Sequence, residues 1–66
     1  MNLTVNGEPR SFGELETLRD LLGVLGLDPG TVVVEHNRRI VRRARLGETR
    51  VASGDAVEIV HFVGGG

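Results

Sequence analysis

The sequence predicts an α+β fold in which one helix lies across a single face of a mixed sheet of four to five strands. Three observations predict it. An Asn-Gly pair at positions 6 and 7 separates two short extended segments, the helical apolar period occurs once, and a β-branched segment and a continuous apolar run follow that helix. One leucine stripe is buried most economically against one face of a sheet, so the elements assemble as a two-layer domain.

The first element is a hairpin. Asn2, Leu3, Thr4 and Val5 alternate polar and apolar, and Asn6-Gly7 suits a two-residue type I′ turn, whose central positions both need positive φ. Residues 8–12 form the returning strand, with Pro9 placing it at an edge, where a missing N–H does little harm. Thr17 and Asp20 then have the spacing of a capping box, and Leu18, Leu21, Leu22 and Leu25 fall at i, i+3, i+4 and i+7, which predicts a helix over residues 17–25. Gly26 fits the left-handed position after its last turn, and Asp28-Pro29-Gly30 closes the element.

Residues 31–35 are β-branched and predict a strand, followed by a turn at Asn37 and Arg38 and a short strand over 39–42. Residues 44–47 read as a loop or 3₁₀ turn, and 48–51 as a short edge strand. Ser53-Gly54-Asp55 is a tight turn. Residues 56–62 are apolar on both faces except for Glu58 and His61, which predicts the central strand, with Val57 and Ile59 facing the helix.

Length and composition bound what such a domain can do. At 66 residues the chain is one domain, and a chain of that size buries only about 60% of its unfolded surface. It has no cysteine and only two histidines, His36 and His61, so neither a disulfide nor a structural zinc site is expected. A cysteine nucleophile, a Gly-x-Ser-x-Gly elbow and a phosphate-cradling glycine loop are all missing, and Glu14 and Glu16 read as a solvated pair ahead of the helix. The chain is therefore not expected to be an enzyme. No apolar stretch is long enough for a signal peptide or membrane helix, so the default expectation is a soluble cytoplasmic protein with no membrane partner.

The net charge of −1 conceals an asymmetry: residues 1–37 carry −4, residues 38–50 carry +5 and residues 51–66 carry −2. Arg38, Arg39, Arg42, Arg43 and Arg45 make up most of the basic segment. Clustered arginine neutralises phosphates, but no neighbouring aromatic is present to stack bases, so no nucleic-acid partner is expected. A solvated face, or steering toward an acidic partner, are the readings left open.

The chain finishes on Val63, Gly64, Gly65 and Gly66, directly after the predicted central strand. The reading is a domain over residues 1–62 and a flexible glycine-rich tail over 63–66 that reaches roughly 13 Å at ~3.3 Å per residue. Glycine has no Cβ, so such a tail threads a narrow channel and leaves the Gly66 carbonyl open to attack. The reactive group would be the terminal carboxylate.

The run V57-E58-I59-V60-H61-F62-V63 followed by G64-G65-G66 resembles the end of the ThiS family, the small sulfur carriers of thiamin thiazole biosynthesis. The resemblance spans the chain through V5-N6-G7-E8-P9, T17-L18-x-x-L21-L22, L25-G26-L27-D28-P29, I40-V41, E48-T49 and G54-D55. Arg38, Arg42 and Leu46 depart from it, standing where a turn glycine, a proline and an aromatic are common in the family.

The resemblance implies the β-grasp fold shared with ubiquitin and MoaD. It also implies a mechanism. A ThiF-like adenylating enzyme uses ATP and Mg²⁺ to convert the Gly66 carboxylate to an acyl-adenylate, and a sulfur donor such as a cysteine desulfurase displaces AMP to leave a thiocarboxylate. A ThiG-like thiazole synthase consumes the sulfur. On this reading the chain binds no cofactor and no metal, has no catalytic residue of its own, and docks partners through Val60, Phe62 and Val63 on the face away from the helix. A MoaD-like carrier for molybdopterin synthesis and a non-covalent β-grasp binding module are the alternatives.

Overall fold

The structure is a computed structural model that describes residues 1–62. The tail expected over residues 63–66 lies outside them. Among the described residues there is one α-helix, α1 (Leu18–Leu25), and five strands: β1 (Asn2–Val5), β2 (Glu8–Ser11), β3 (Val32–His36), β4 (Arg39–Val41) and β5 (Ala56–His61). The strands form one sheet in the order β2-β1-β5-β3-β4. β1 and β5 are parallel, and the other neighbours are antiparallel.

The local signals explain most of the boundaries. Asn6 and Gly7 adopt φ of 49° and 80°, and β1 pairs back on β2 with Val5 opposite Glu8 and Thr4 opposite Pro9. The Phe12 N–H bonds the Met1 carbonyl, so residues 8, 10 and 12 turn their backbone toward β1 and Pro9 lacks only an outward-facing N–H. Thr17 caps α1: its hydroxyl accepts from the Asp20 N–H while the Asp20 carboxylate accepts from the Thr17 and Glu16 N–H groups. Gly26 follows in the left-handed region at φ 72°, which lets the Leu27 N–H return to the Leu22 carbonyl at 2.9 Å.

Leu18, Leu21 and Leu22 are fully buried against Leu3 and Val5 of β1, Val34 of β3, and Val57 and Ile59 of β5. Leu15, Leu46 and Val51 seal the margins of this core, while Leu25, expected on the same stripe, is only half-buried at the end of the short helix. Each buried leucine or valine contributes about 1.5–3 kcal/mol relative to exposure, which is how so small a core holds without a staple.

Three expectations are corrected. Thr31 belongs to a 3₁₀ turn (Pro29–Thr31), held by the Asp28 carboxylate accepting from the Gly30 N–H at 2.8 Å, so β3 starts at Val32 and runs to His36. β4 ends at Val41, because Arg42 leads into a second 3₁₀ turn (Arg43–Arg45). Residues 48–51 make no strand. They contribute a single bridge, Thr17 to Arg50, because the backbone of Thr49 and Val51 bonds to Leu18 and Glu16 at the helix entrance and the helix then carries the partner away. β5 is the central strand, as expected, with Val57 and Ile59 covered, whereas Ala56, Glu58, Val60 and His61 are exposed. One helix covers one face, and the other stays open.

Candidate functional site

The open face is read from the register. Val33 of β3 lies directly opposite Val60 of β5, and both point away from the helix, as the burial of Val32, Val34, Val57 and Ile59 requires. They are 43% and 61% exposed, and Phe62, two residues beyond Val60, is 49% exposed. Phe62 lies past the end of β5 yet its N–H still bonds the Thr31 carbonyl at 3.2 Å, so the last described residue remains tied to the sheet. Continuing the pairing of Val34 with Val41 by one residue sets Arg42 beside Val33. A compact apolar patch with a cation at its border therefore surrounds the point where β5 ends.

Of the residues singled out in the sequence, Val60 and Phe62 sit together on this patch. Val63, Gly64, Gly65 and Gly66 lie outside the described residues. Val33 was missed, because Val32-Val33-Val34 shows no polar-apolar alternation; counting across from Val60 in an antiparallel pairing would have found it. Ile40, 70% exposed and opposite Glu35 on the same face, was missed for a similar reason.

A second constellation is polar. His36 Nε2 lies 2.8 Å from Asp55 Oδ2, and that oxygen also accepts from the Ala52 N–H at 2.8 Å. Partial burial pushes the Asp55 carboxyl upward, but the hydrogen bonds from His36, Ala52 and Asn37 and the attraction of His36 outweigh it, and the carboxyl is held below its ordinary value. The Asp20 carboxyl is likewise lowered, first by the Thr17 N–H and then by the Glu16 N–H. Both are structural clasps. His61 pairs in register with Val32, whereas His36 pairs with Val57. The two histidines are thus four rungs apart, about 13 Å along the sheet. Among the described residues no three His, Cys, Asp or Glu side chains gather as a metal site, and no helix is long and apolar enough to cross a membrane. Glu14 and Glu16 are exposed, Glu16 standing 4.0 Å from Arg50.

A five-stranded mixed sheet in this order with one helix on a single face is a ubiquitin-like β-grasp domain. The comparisons narrow the class further. The model of the ThiS family matches residues 3–66. The sulfur carrier protein ThiS of Bacillus subtilis is 44% identical over 50 residues, covering 76% of this chain and 76% of that protein. The crystal structure of the thiamine biosynthesis protein ThiS from Geobacter metallireducens superposes with a TM-score of 0.85 at 40% identity, over the whole of both chains. A thiazole synthase of Paramagnetospirillum magneticum is 46% identical over the full 66 residues, and one of Magnetococcus marinus is 41% identical over the same span. The chain spans 20% of the length of each of these two synthases. The chain belongs to the ThiS family, the group its sequence resembles.

Proposed function

We propose that this chain is a sulfur carrier for thiamin thiazole synthesis, acting as a co-substrate of other enzymes. The observation that carries the reading is the family match, which runs from residue 3 through Gly66 and so takes in all three terminal glycines. The Gly66 carboxylate attacks the α-phosphorus of ATP on a ThiF-like enzyme, releasing pyrophosphate and forming an acyl-adenylate. A sulfur donor then displaces AMP, and a carbon–sulfur bond replaces the carbon–oxygen bond to give the thiocarboxylate. ATP and Mg²⁺ belong to the activating enzyme.

A ThiG-like thiazole synthase is the consumer. The two synthases that contain a stretch similar to this whole chain support that choice over a molybdopterin client. The sheet supplies position: β5 pairs with β1 at its start and with β3 as far as His61, the Phe62 N–H bonds the Thr31 carbonyl, and Gly66 follows Phe62 by four positions in the sequence. The Val33, Val60 and Phe62 patch, with Val63 beside it in sequence, is the docking surface for these enzymes.

Intact-mass measurement of the polypeptide as it occurs in the cell, before and after incubation with ATP, a ThiF-like enzyme and a sulfide source, tests the reading. The expected result is a terminus at Gly66 and a gain of about 16 mass units as sulfur replaces oxygen. A polypeptide that continues past Gly66 in its working form, or one that never gains this mass, overturns it.

A further inference from the structure

The carrier reading makes no use of the arginine cluster, yet the cluster occupies a defined place in the fold. Arg38, Arg39, Arg42, Arg43 and Arg45 are all exposed, and among the described residues only Arg45 forms an ion pair, a solvent-exposed one with Glu48 at 3.0 Å. An open groove runs along β4 and the turn after it. Arg39, Arg42 and Arg45 line it, together with Ile40, Val41 and Thr49. Apolar and cationic side chains thus line one groove.

β4 is also the outermost strand of its side of the sheet. The Phe62 N–H bonds Thr31, and the Asn37 N–H bonds Ala56, so the odd-numbered residues of β3 turn their backbone toward β5. Val34 and His36 therefore turn toward β4, where they pair with Val41 and Arg39. The N–H and C=O of Ile40 are left facing away from the sheet. The opposite edge differs, because Pro9 removes an outward N–H from β2. One edge is blocked in its backbone; the other is open in its backbone and selective in its charge.

We propose that the groove along the free edge of β4 docks an extended acidic segment of a partner protein. The segment pairs with the outward backbone of Ile40, and its carboxylates meet Arg39 and Arg45. Charge decides among occupants. A second copy of this chain, edge to edge, would set arginine against arginine. A nucleic-acid strand would find no aromatic in the groove to stack on, and its unbroken run of phosphates would pass near Glu35 and Glu58, which stand in register beside Ile40. A peptide strand carries side chains alternately to either side, so it presents acids on the face of Arg39 and apolar groups on the face of Ile40 without that conflict. This docking does not depend on the thiocarboxylate.

The test is a titration of the isotope-labelled full chain with an alternating Glu-Val hexapeptide, followed by backbone amide shifts and amide exchange. The expected result is shifts centred on Ile40, Val41 and Thr49, slowed exchange of the Ile40 amide, and affinity about tenfold weaker for the Gln-Val counterpart and for the R39E/R45E variant. Equal affinity for the Gln-Val peptide, tighter binding of a decauridylate RNA, or shifts confined to the Val33 and Val60 face would overturn it. So would a neutral R39Q/R42Q/R45Q chain that dimerises while the wild type ignores the acidic peptide, since the arginines would then serve only to keep a bare edge from pairing. None of these readouts involves Gly66, so they stand apart from the mass test of the carrier reading.

Discussion

His36 Nε2 stands 2.8 Å from Asp55 Oδ2, which clasps the end of β3 to the turn that launches β5. The contact spans two antiparallel strands and fixes the start of the strand that carries Val60 and Phe62. Because the Asp55 carboxyl is held below its ordinary value of 3.8, the native state favours its charged form. Its contribution is fully present above that ordinary value and is lost as pH falls through the lower native value. Asp55→Ala is expected to cost about 1–3 kcal/mol at neutral pH, since the Ala52 N–H and His36 both lose their acceptor. Urea unfolding of both proteins between pH 7 and pH 2.5 reads the effect: the gap narrows in the acid range, and a gap that widens there would refute the assignment.

Asn6 performs two tasks that a substitution series separates. Its side chain closes a bidentate pair with the backbone of Ile59, accepting from the Ile59 N–H at 2.7 Å and donating to the Ile59 carbonyl at 3.2 Å. In this way the parallel pairing of β1 with β5 continues past the end of β1. Asn6 also sits at φ 49°. Asn6→Gly removes only the side-chain bonds, about 1–2 kcal/mol for the pair, whereas Asn6→Ala adds a further cost of about 1 kcal/mol for the left-handed backbone. Thermal unfolding should rank the wild type above Gly and Gly above Ala; equal loss in the two variants would leave the backbone without a role.

The helix of eight residues is short enough to depend on its cap. Thr17→Ala removes the hydroxyl that accepts from the first turn and should cost about 1 kcal/mol. Thr17→Ser retains that acceptor and should recover most of the loss. Unfolding by urea, followed through far-ultraviolet circular dichroism, distinguishes the two; equal destabilisation by Ser and Ala would place the effect in the methyl group instead.

How far these features could be read in advance depended on how local their causes are. Asn6-Gly7, the Thr17 to Asp20 spacing and Gly26 each dictate their own backbone, and the structure follows them. The single leucine stripe implied one covered face, and Val57 and Ile59 were assigned to it correctly. The failures are where distant segments decide. Residues 48–51 look extended, but the helix entrance permits only one rung of pairing. The His36 to Asp55 clasp joins positions 19 apart, and no local pattern announces it. Val33 was hidden within three consecutive valines until its partner across the sheet was known.

The apolar patch proposed to dock partners makes the strongest demand on the carrier reading, because its residues lie outside the buried core. Val33, Val60 and Phe62 are between 43% and 61% exposed, so replacing them leaves the buried core untouched. Phe62→Ala and Val60→Asp are therefore expected to unfold within about 0.5 kcal/mol of the wild type. An interface residue that packs centrally against a partner typically costs more than about 1 kcal/mol when truncated, a fall of roughly fivefold or more in affinity. The rate of adenylation by a ThiF-like enzyme, measured below saturation, should fall by at least that factor in each variant, and further in Val60→Asp, where a charge must be desolvated against an apolar surface. A Phe62→Ala chain that folds normally and is adenylated as fast as the wild type would remove this face from the mechanism.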